Sequence, residues 1–135
     1  MEQLLHYVWK HKIFPLSALQ TTSGRPVEVI DPGLPNMNAG PDFFNAKLKI
    51  DGTLWVGNVE VHTQASEWLL HRHDCDKAYD TVILHVVGES NCDVYRTNGE
   101  LVPQMVLTCP DTVRLRYEEL RQTEIYPPCY SCLLY

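Results

Sequence analysis

The sequence is poor in several things, and each shortage removes a class of protein. No apolar run approaches the roughly 20 residues that a membrane-spanning helix needs, so no membrane partner is expected. The opening Met1-Glu2-Gln3-Leu4-Leu5-His6 lacks the basic-then-apolar order of a secretory signal, and the expected location is cytoplasmic. Basic residues are outnumbered: 11 Lys and Arg against 17 Asp and Glu leave a net charge of −6. No broad basic surface is therefore available to grip nucleic acid unaided. A metal-dependent phosphodiesterase is compatible with that balance, because a carboxylate cluster is acidic until its cations are bound. Internal repeats and low-complexity tracts are absent.

A disulfide framework is lacking too. The cysteines are Cys75, Cys92, Cys109, Cys129 and Cys132, an odd set at irregular spacing. Cys129 and Cys132 form a lone C-x-x-C, and no second pair completes a four-ligand zinc site. The pair ends the chain instead of following a strand and opening a helix, as a thioredoxin-type motif would. Reduced thiols are the simpler reading.

What is present is an ordinary globular balance. The chain has 135 residues, 44% hydrophobic and 21% charged, enough for one α/β domain over residues 1–135 with its own core. The apolar ending Leu133-Leu134-Tyr135 has no helix stop or polar tail, so the domain is expected to be the N-terminal part of a longer protein. Leu4, Leu5, Val8, Trp9 and Ile13 recur on one helical face from Glu2 to Phe14, and Pro15 marks the expected end. Pro26 to Ile30 suits a short strand, stopped by turn residues from Asp31 to Asn36.

Phe44, Ala46, Leu48 and Ile50 alternate with Asn45, Lys47 and Lys49, and Asp51-Gly52 turns the chain into Leu54 to His62. This predicts a β-hairpin. Ser66 to Asp76 reads as short helical turns. Tyr79 to Val87 is nearly continuously apolar, as a strand buried on both faces should be. Val94-Tyr95 and Met105 to Leu107 suggest two more short strands around an Asn98-Gly99 turn. Asp111 to Thr123 reads as a helix capped by Asp111 after Pro110. The order predicts a mixed β-sheet with a central hairpin flanked by helices.

Chemistry concentrates on that hairpin. Asp42 opens the first strand, and Glu60 and His62, two apart on the second, leave the same face. Carboxylates converging from adjacent strands hold a hard cation such as Mg²⁺ or Mn²⁺, and a neighbouring basic group can activate a bound water. Convergence depends on register. A two-residue turn pairs Ile50 with Thr53 and puts Asp42 opposite Glu60's face. A three-residue turn pairs Ile50 with Leu54 and sets Asp42 beside His62 on one face. The second stacks apolar on apolar and is the register expected here; a bulge near Gly57 would have the same effect.

Gly40-Pro41-Asp42-Phe43 followed by Glu60-Val61-His62 resembles the motif of the PD-(D/E)XK nuclease superfamily. The resemblance implies a restriction-endonuclease-like fold, Asp42 and Glu60 as metal ligands, and a carbonyl ligand from Val61. His62 stands at the superfamily's Lys position. A longer pattern is similar to an uncharacterised bacterial family, a domain of unknown function. It comprises Asp31-Pro32-Gly33, Asn36, Asn38 to Phe43, Gly57 to His62, Ser66-Glu67-Trp68, His71-Arg72-His73, Tyr79, and Val82 to Val87.

Other histidines are candidates. His71 and His73 with His62 and Asp76 would suit a zinc or manganese site, or else lie in a solvated connector. His85 sits in the most apolar strand, where a hydrogen-bonded core histidine is commoner than a ligand. His6 and His11 fall on the first helix and need no function. Trp55 and Trp68 could stack a base or sugar, though filling the space between helix and sheet is the simpler reading. Asn36, Asn38 and Gly40 build the turn before Asp42. If Asp42 and Glu60 share a pocket, something positive belongs between them: a metal, Arg72 or a histidinium.

The resulting expectation is a divalent-metal-dependent phosphodiester hydrolase. Asp42, Glu60 and His62 would be catalytic. The metal (Mg or Mn, with Zn an option) would lie among Asp42, Glu60, His62, His71, His73 and His85, and substrate against Asn36, Trp68 and Arg72. Nucleic acid would be reached through the longer protein. The rivals are a non-catalytic nuclease-like module for ligand binding or assembly, and a mononuclear zinc hydrolase on His62, His71 and His73.

Overall fold

A computed structural model describes residues 2–13, 19–109 and 111–125, with side chains to Glu119. The Cys129/Cys132 pair, Leu133-Leu134-Tyr135, Pro15 and Pro110 lie outside the described residues. The elements run α1 (Glu2–Lys10), β1 (Val27–Asp31), β2 (Leu34–Pro35), β3 (Phe43–Ile50) and β4 (Thr53–Gln64). They continue with α2 (Glu67–Leu70), two 3₁₀ turns (His73–Cys75 and Lys77–Thr81), β5 (Val82–Glu89), β6 (Gln104–Val106) and α3 (Asp111–Ile125). The result is a mixed α/β fold on one six-stranded sheet, ordered β1-β3-β4-β5-β6, with β2 also pairing β3.

Helix α1 stops earlier than the Pro15 signal implied. Lys12 takes φ 55°, Lys12 N–H donates to the Trp9 carbonyl (3.1 Å) and Ile13 N–H to the Val8 carbonyl (3.0 Å). These two bonds are a Schellman cap with Lys12 in the left-handed position usually taken by glycine. Leu4, Leu5, Val8 and Trp9 bury α1 against Val29, Phe43, Leu48, Val59, Val61, Leu84 and Val86. Trp68, Tyr79, Val82, Val87, Val94 and Val102 form a second cluster.

The hairpin is present, but its turn is the two-residue one. Ile50 pairs with Thr53, with Asp51 at φ 53° and Gly52 at φ 81°. Positive φ at both central residues is the type I′ pattern whose twist matches the strands. What rescues the alignment is a bulge in β3, across from Gly57 and Asn58. Phe43 pairs with Val59 but Ala46 with Gly57, so β3 carries one extra residue. Asn45 sits there at φ 58°, its N–H donating to Asn58 Oδ1 (3.2 Å), and Asn58 Nδ2 donates to Thr81 Oγ1 (2.8 Å). The bulge also moves Phe44 off the buried face: Phe43, Ala46, Leu48 and Ile50 are buried, and Phe44 is exposed.

Strands β4 and β5 are parallel, joined by α2 and the 3₁₀ turns, and β5 and β6 are parallel again. Tyr79 and Asp80 belong to the 3₁₀ turn, so β5 begins at Val82. Val94-Tyr95 is not a strand; Tyr95 makes a single bridge to Leu101 around the Asn98-Gly99 turn. Asp111 is the first residue of α3, with its carboxylate 2.8 Å from Arg114 Nη2. Trp55, expected to fill space, is exposed on β4. Among the described residues no helix is long and apolar enough to cross a membrane.

Candidate metal centre

Val59 and Val61 face α1, so strand alternation turns Glu60 and His62 to the other side of the sheet. His85 is the Cα partner of Glu60 on β5, and Gln104 the partner of His85 on β6. These registers bring Glu60, His62, His85 and Gln104 together. Each is at most 4% exposed. Buried polar groups of this kind need partners, and here they supply one another.

Glu60 Oε2 lies 3.1 Å from His62 Nε2 and 3.1 Å from His73 Nε2. His62 Nδ1 lies 2.7 Å from His85 Nε2, and His85 Nδ1 lies 2.9 Å from Gln104 Oε1. Gln104 Nε2 donates to Ser90 Oγ (2.8 Å) and to the Cys92 carbonyl (3.0 Å). Asp42 joins through the backbone in a reciprocal exchange. Its N–H donates to Glu60 Oε1 (3.1 Å), while its Oδ2 accepts from Val61 N–H (2.8 Å). The two acids therefore stand side by side, as the sequence suggested, although Asp42 neighbours Glu60 and not His62.

Burial alone would raise the Glu60 carboxyl, but the hydrogen bonds of His62 and His73 outweigh it and bring it down to about 2. Burial pulls His85 down to about 4, so it is a neutral imidazole near pH 7. Burial also opposes charge on His6, yet Asp42 and Glu2 beside it hold its value above the ordinary one. Tyr79 is pushed up to about 12 by burial and by the charges of Glu60 and Asp42. Its ring stacks on His73, centroids 3.6 Å apart.

His71 and His73 are brought to His62 by an unforeseen device. An H-x-H aims both rings one way if extended; here Arg72 at φ 59° bends the segment instead. The ligand atoms of His62, His71 and His73 all lie within 4.8 Å of one another. Those of Glu2, His62 and Glu67 do likewise. His71 is exposed, so the cluster runs from a buried acid to the surface. A cation there would be met by imidazoles, which suit zinc better than magnesium.

Other candidates fall elsewhere. His85 is not a member of either group of clustered ligand atoms; its nitrogens face His62 Nδ1 and Gln104 Oε1 instead. Asp76 is not a member of the histidine group; its Oδ1 accepts from Ala78 N–H (2.9 Å). Trp68 is fully buried, its Nε1 donating to the Tyr95 carbonyl (3.1 Å), so it is core and cannot stack a substrate. Asn36 spends its amide on the turn, donating to the Ala39 and Pro41 carbonyls and accepting from Asn38 N–H. Arg72 is exposed, and its guanidinium makes no ion pair among the described residues.

Four neighbours were missed. His6 Nε2 is 3.4 Å from Asp42 Oδ2, contrary to the expectation that it needs no role, and Glu2 lies 3.8 Å from the same nitrogen. The Glu2–His6 spacing of four on one helix was the available signal. Glu67 had none beyond its charge. Gln104, an amide inside a buried strand, signalled a bonded partner without naming it.

Fold and centre together define a mixed-sheet α/β domain with a buried carboxylate–imidazole cluster. The model of one family, described as a protein of unknown function (DUF2851), matches residues 2–134, and the chain belongs to that family. No curated protein and no solved structure matches it.

Proposed function

We propose that His62, His71, His73 and Glu60 hold one divalent transition metal, zinc or manganese, and that the centre hydrolyses phosphodiesters. The observation that carries the metal reading is the 3.1 Å separation of Glu60 Oε2 from both His62 Nε2 and His73 Nε2. Donors about 2.0–2.1 Å from a tetrahedral ion stand about 3.3 Å apart. The carboxylate is thus spaced from each of the two imidazoles nearly as two ligands of one ion are. The ligand atoms of His71, His62 and His73 lie within 4.8 Å of one another.

A bound divalent ion supplies Lewis acidity, polarising a phosphoryl oxygen and activating water. The chain's own part is to hold the ligands and to place charge. Glu60 accepts hydrogen bonds at Oε2, and Asp42 fixes the strand end through Val61 N–H. Arg72, which stands between His71 and His73 in the sequence, carries an exposed guanidinium suited to a phosphate. The phosphodiester class rests on that guanidinium and on the similarity of Asp42 and Glu60-Val61-His62 to the nuclease motif.

A second reading has its own support: Glu60 is already paired with two histidines, as a metal-free structural network requires. Thermal unfolding separates the two. After stripping with EDTA, zinc at a hundredfold excess over its Kd stabilises a binding fold by about 2.7 kcal/mol. That raises Tm by about 9 °C for a domain of this size. The shift vanishes in His62→Ala and His73→Ala, and the metal-loaded protein cleaves an activated aryl phosphodiester. No shift with zinc or manganese sinks the metal reading; a shift without cleavage sinks only the hydrolase.

A further inference from the structure

We propose that His85 and Gln104 are positioning residues that fix the His62 ring, its Nδ1 proton turned inward and its Nε2 lone pair presented to the metal; this rests on the metal reading above.

The argument starts at the far end of the chain of contacts. The Cys92 carbonyl is an acceptor only, and it lies 3.0 Å from the Gln104 side-chain nitrogen. That contact orients the amide, so the Gln104 oxygen must be the atom 2.9 Å from His85 Nδ1. An amide oxygen only accepts, hence His85 Nδ1 carries the proton. His85 is fully buried, and as a neutral ring it then has a bare Nε2. The 2.7 Å contact to His62 Nδ1 is satisfied only if His62 donates. His62 Nε2 is left facing Glu60 Oε2 and would present its lone pair to a bound metal. A tautomer fixed at one nitrogen by a hydrogen bond at the other is how proteins orient metal-binding histidines.

Strand pairing places the members of the relay: Glu60, His85 and Gln104 are Cα partners on three adjacent strands. Ser90 and Cys92 in the β5–β6 connection orient the Gln104 amide. Trp68 packs edge-on against His85 (centroids 5.0 Å) and closes that side of the ring.

Two measurements on the full chain test this. Nitrogen-15 spectra of the EDTA-treated protein are expected to show His62 Nδ1 and His85 Nδ1 protonated and His85 Nε2 bare. Zinc titration against a chromophoric chelator is expected to show His85→Met binding about 10- to 100-fold more weakly than the parent. His85→Gln, whose side-chain oxygen reaches near the Nε2 position, recovers most of the loss. A protonated His85 Nε2, or full zinc affinity in His85→Met, overturns the proposal. If the parent takes up no zinc while the spectra show the expected protons, the metal reading falls and the hydrogen-bond direction stands.

Discussion

Glu60→Gln isolates the charge at the heart of the cluster. A glutamine keeps the size of the side chain and an oxygen to accept from Asp42 N–H, so it stands in for the protonated acid. The folded carboxyl lies at about 2 against an ordinary 4.5. Because the folded value is the lower, its contribution is whole above pH 4.5 and is lost as pH falls toward 2. At pH 5.5, where ordinary imidazoles are charged, that gap is worth about 3 kcal/mol. It falls to about half by pH 3. Urea unfolding in EDTA measures both points. The substituted protein is expected to be about 3 kcal/mol weaker at pH 5.5, with Tm about 10 °C lower, and the difference should narrow steadily below pH 4.5. An equal loss at pH 5.5 and pH 3, or none at pH 5.5, refutes the assignment of that stability to the carboxylate's charge.

Three further outcomes are expected. Gly57→Ala places a Cβ 2.5 Å from Ile83 Cγ2 and 3.0 Å from the Thr81 carbonyl, and costs about 1–3 kcal/mol in denaturant unfolding. Trp68→Ala costs about 3–5 kcal/mol; a variant as stable as the parent would contradict its place in the core. Asn45→Val costs about 1–2 kcal/mol at its positive φ, whereas Asn45→Gly holds its Tm to within a few degrees.

The legible part of the fold was local. Alternation in β3 and β4 and the Asp51-Gly52 pair predicted the hairpin, because period-two burial and a left-handed turn are written in neighbouring residues. The register was misread for a physical reason. Apolar stacking favoured a three-residue turn, but a type I′ turn needs only two residues with positive φ, and Asp51-Gly52 supplies them. The parity was restored five residues upstream of the β3 end, at Asn45, where no single residue type announces a bulge. Pro15 drew the helix end too far because a Schellman cap at Lys12 leaves no glycine to read.

The site divides in the same way. Asp42, Glu60 and His62 share a hairpin, so their proximity follows from one turn and one bulge. His71 and His73 lie close by in sequence, yet their convergence depends on Arg72 adopting a conformation that arginine rarely takes. Gln104, His6 and Glu2 come from distant elements, where only the closed sheet decides who meets whom. Trp68 and Asn36 looked like substrate contacts because aromatic and amide groups serve both roles; burial and turn bonding assign them to structure.

The row formed by Glu60, His85 and Gln104 runs across three strands whose connections are long crossovers. The hairpin can close early, since its ends are adjacent, but it brings only two acids and one imidazole. His85 and Gln104, which face that imidazole's Nδ1 side, arrive with strands contributed later along the chain. On the proposed metal reading, a nascent or half-folded molecule is therefore a poor trap for metal, and competence at this centre would coincide with completion of the sheet. Cation uptake would then serve as a chronometer of folding, lagging the fluorescence change of the indoles and never leading it.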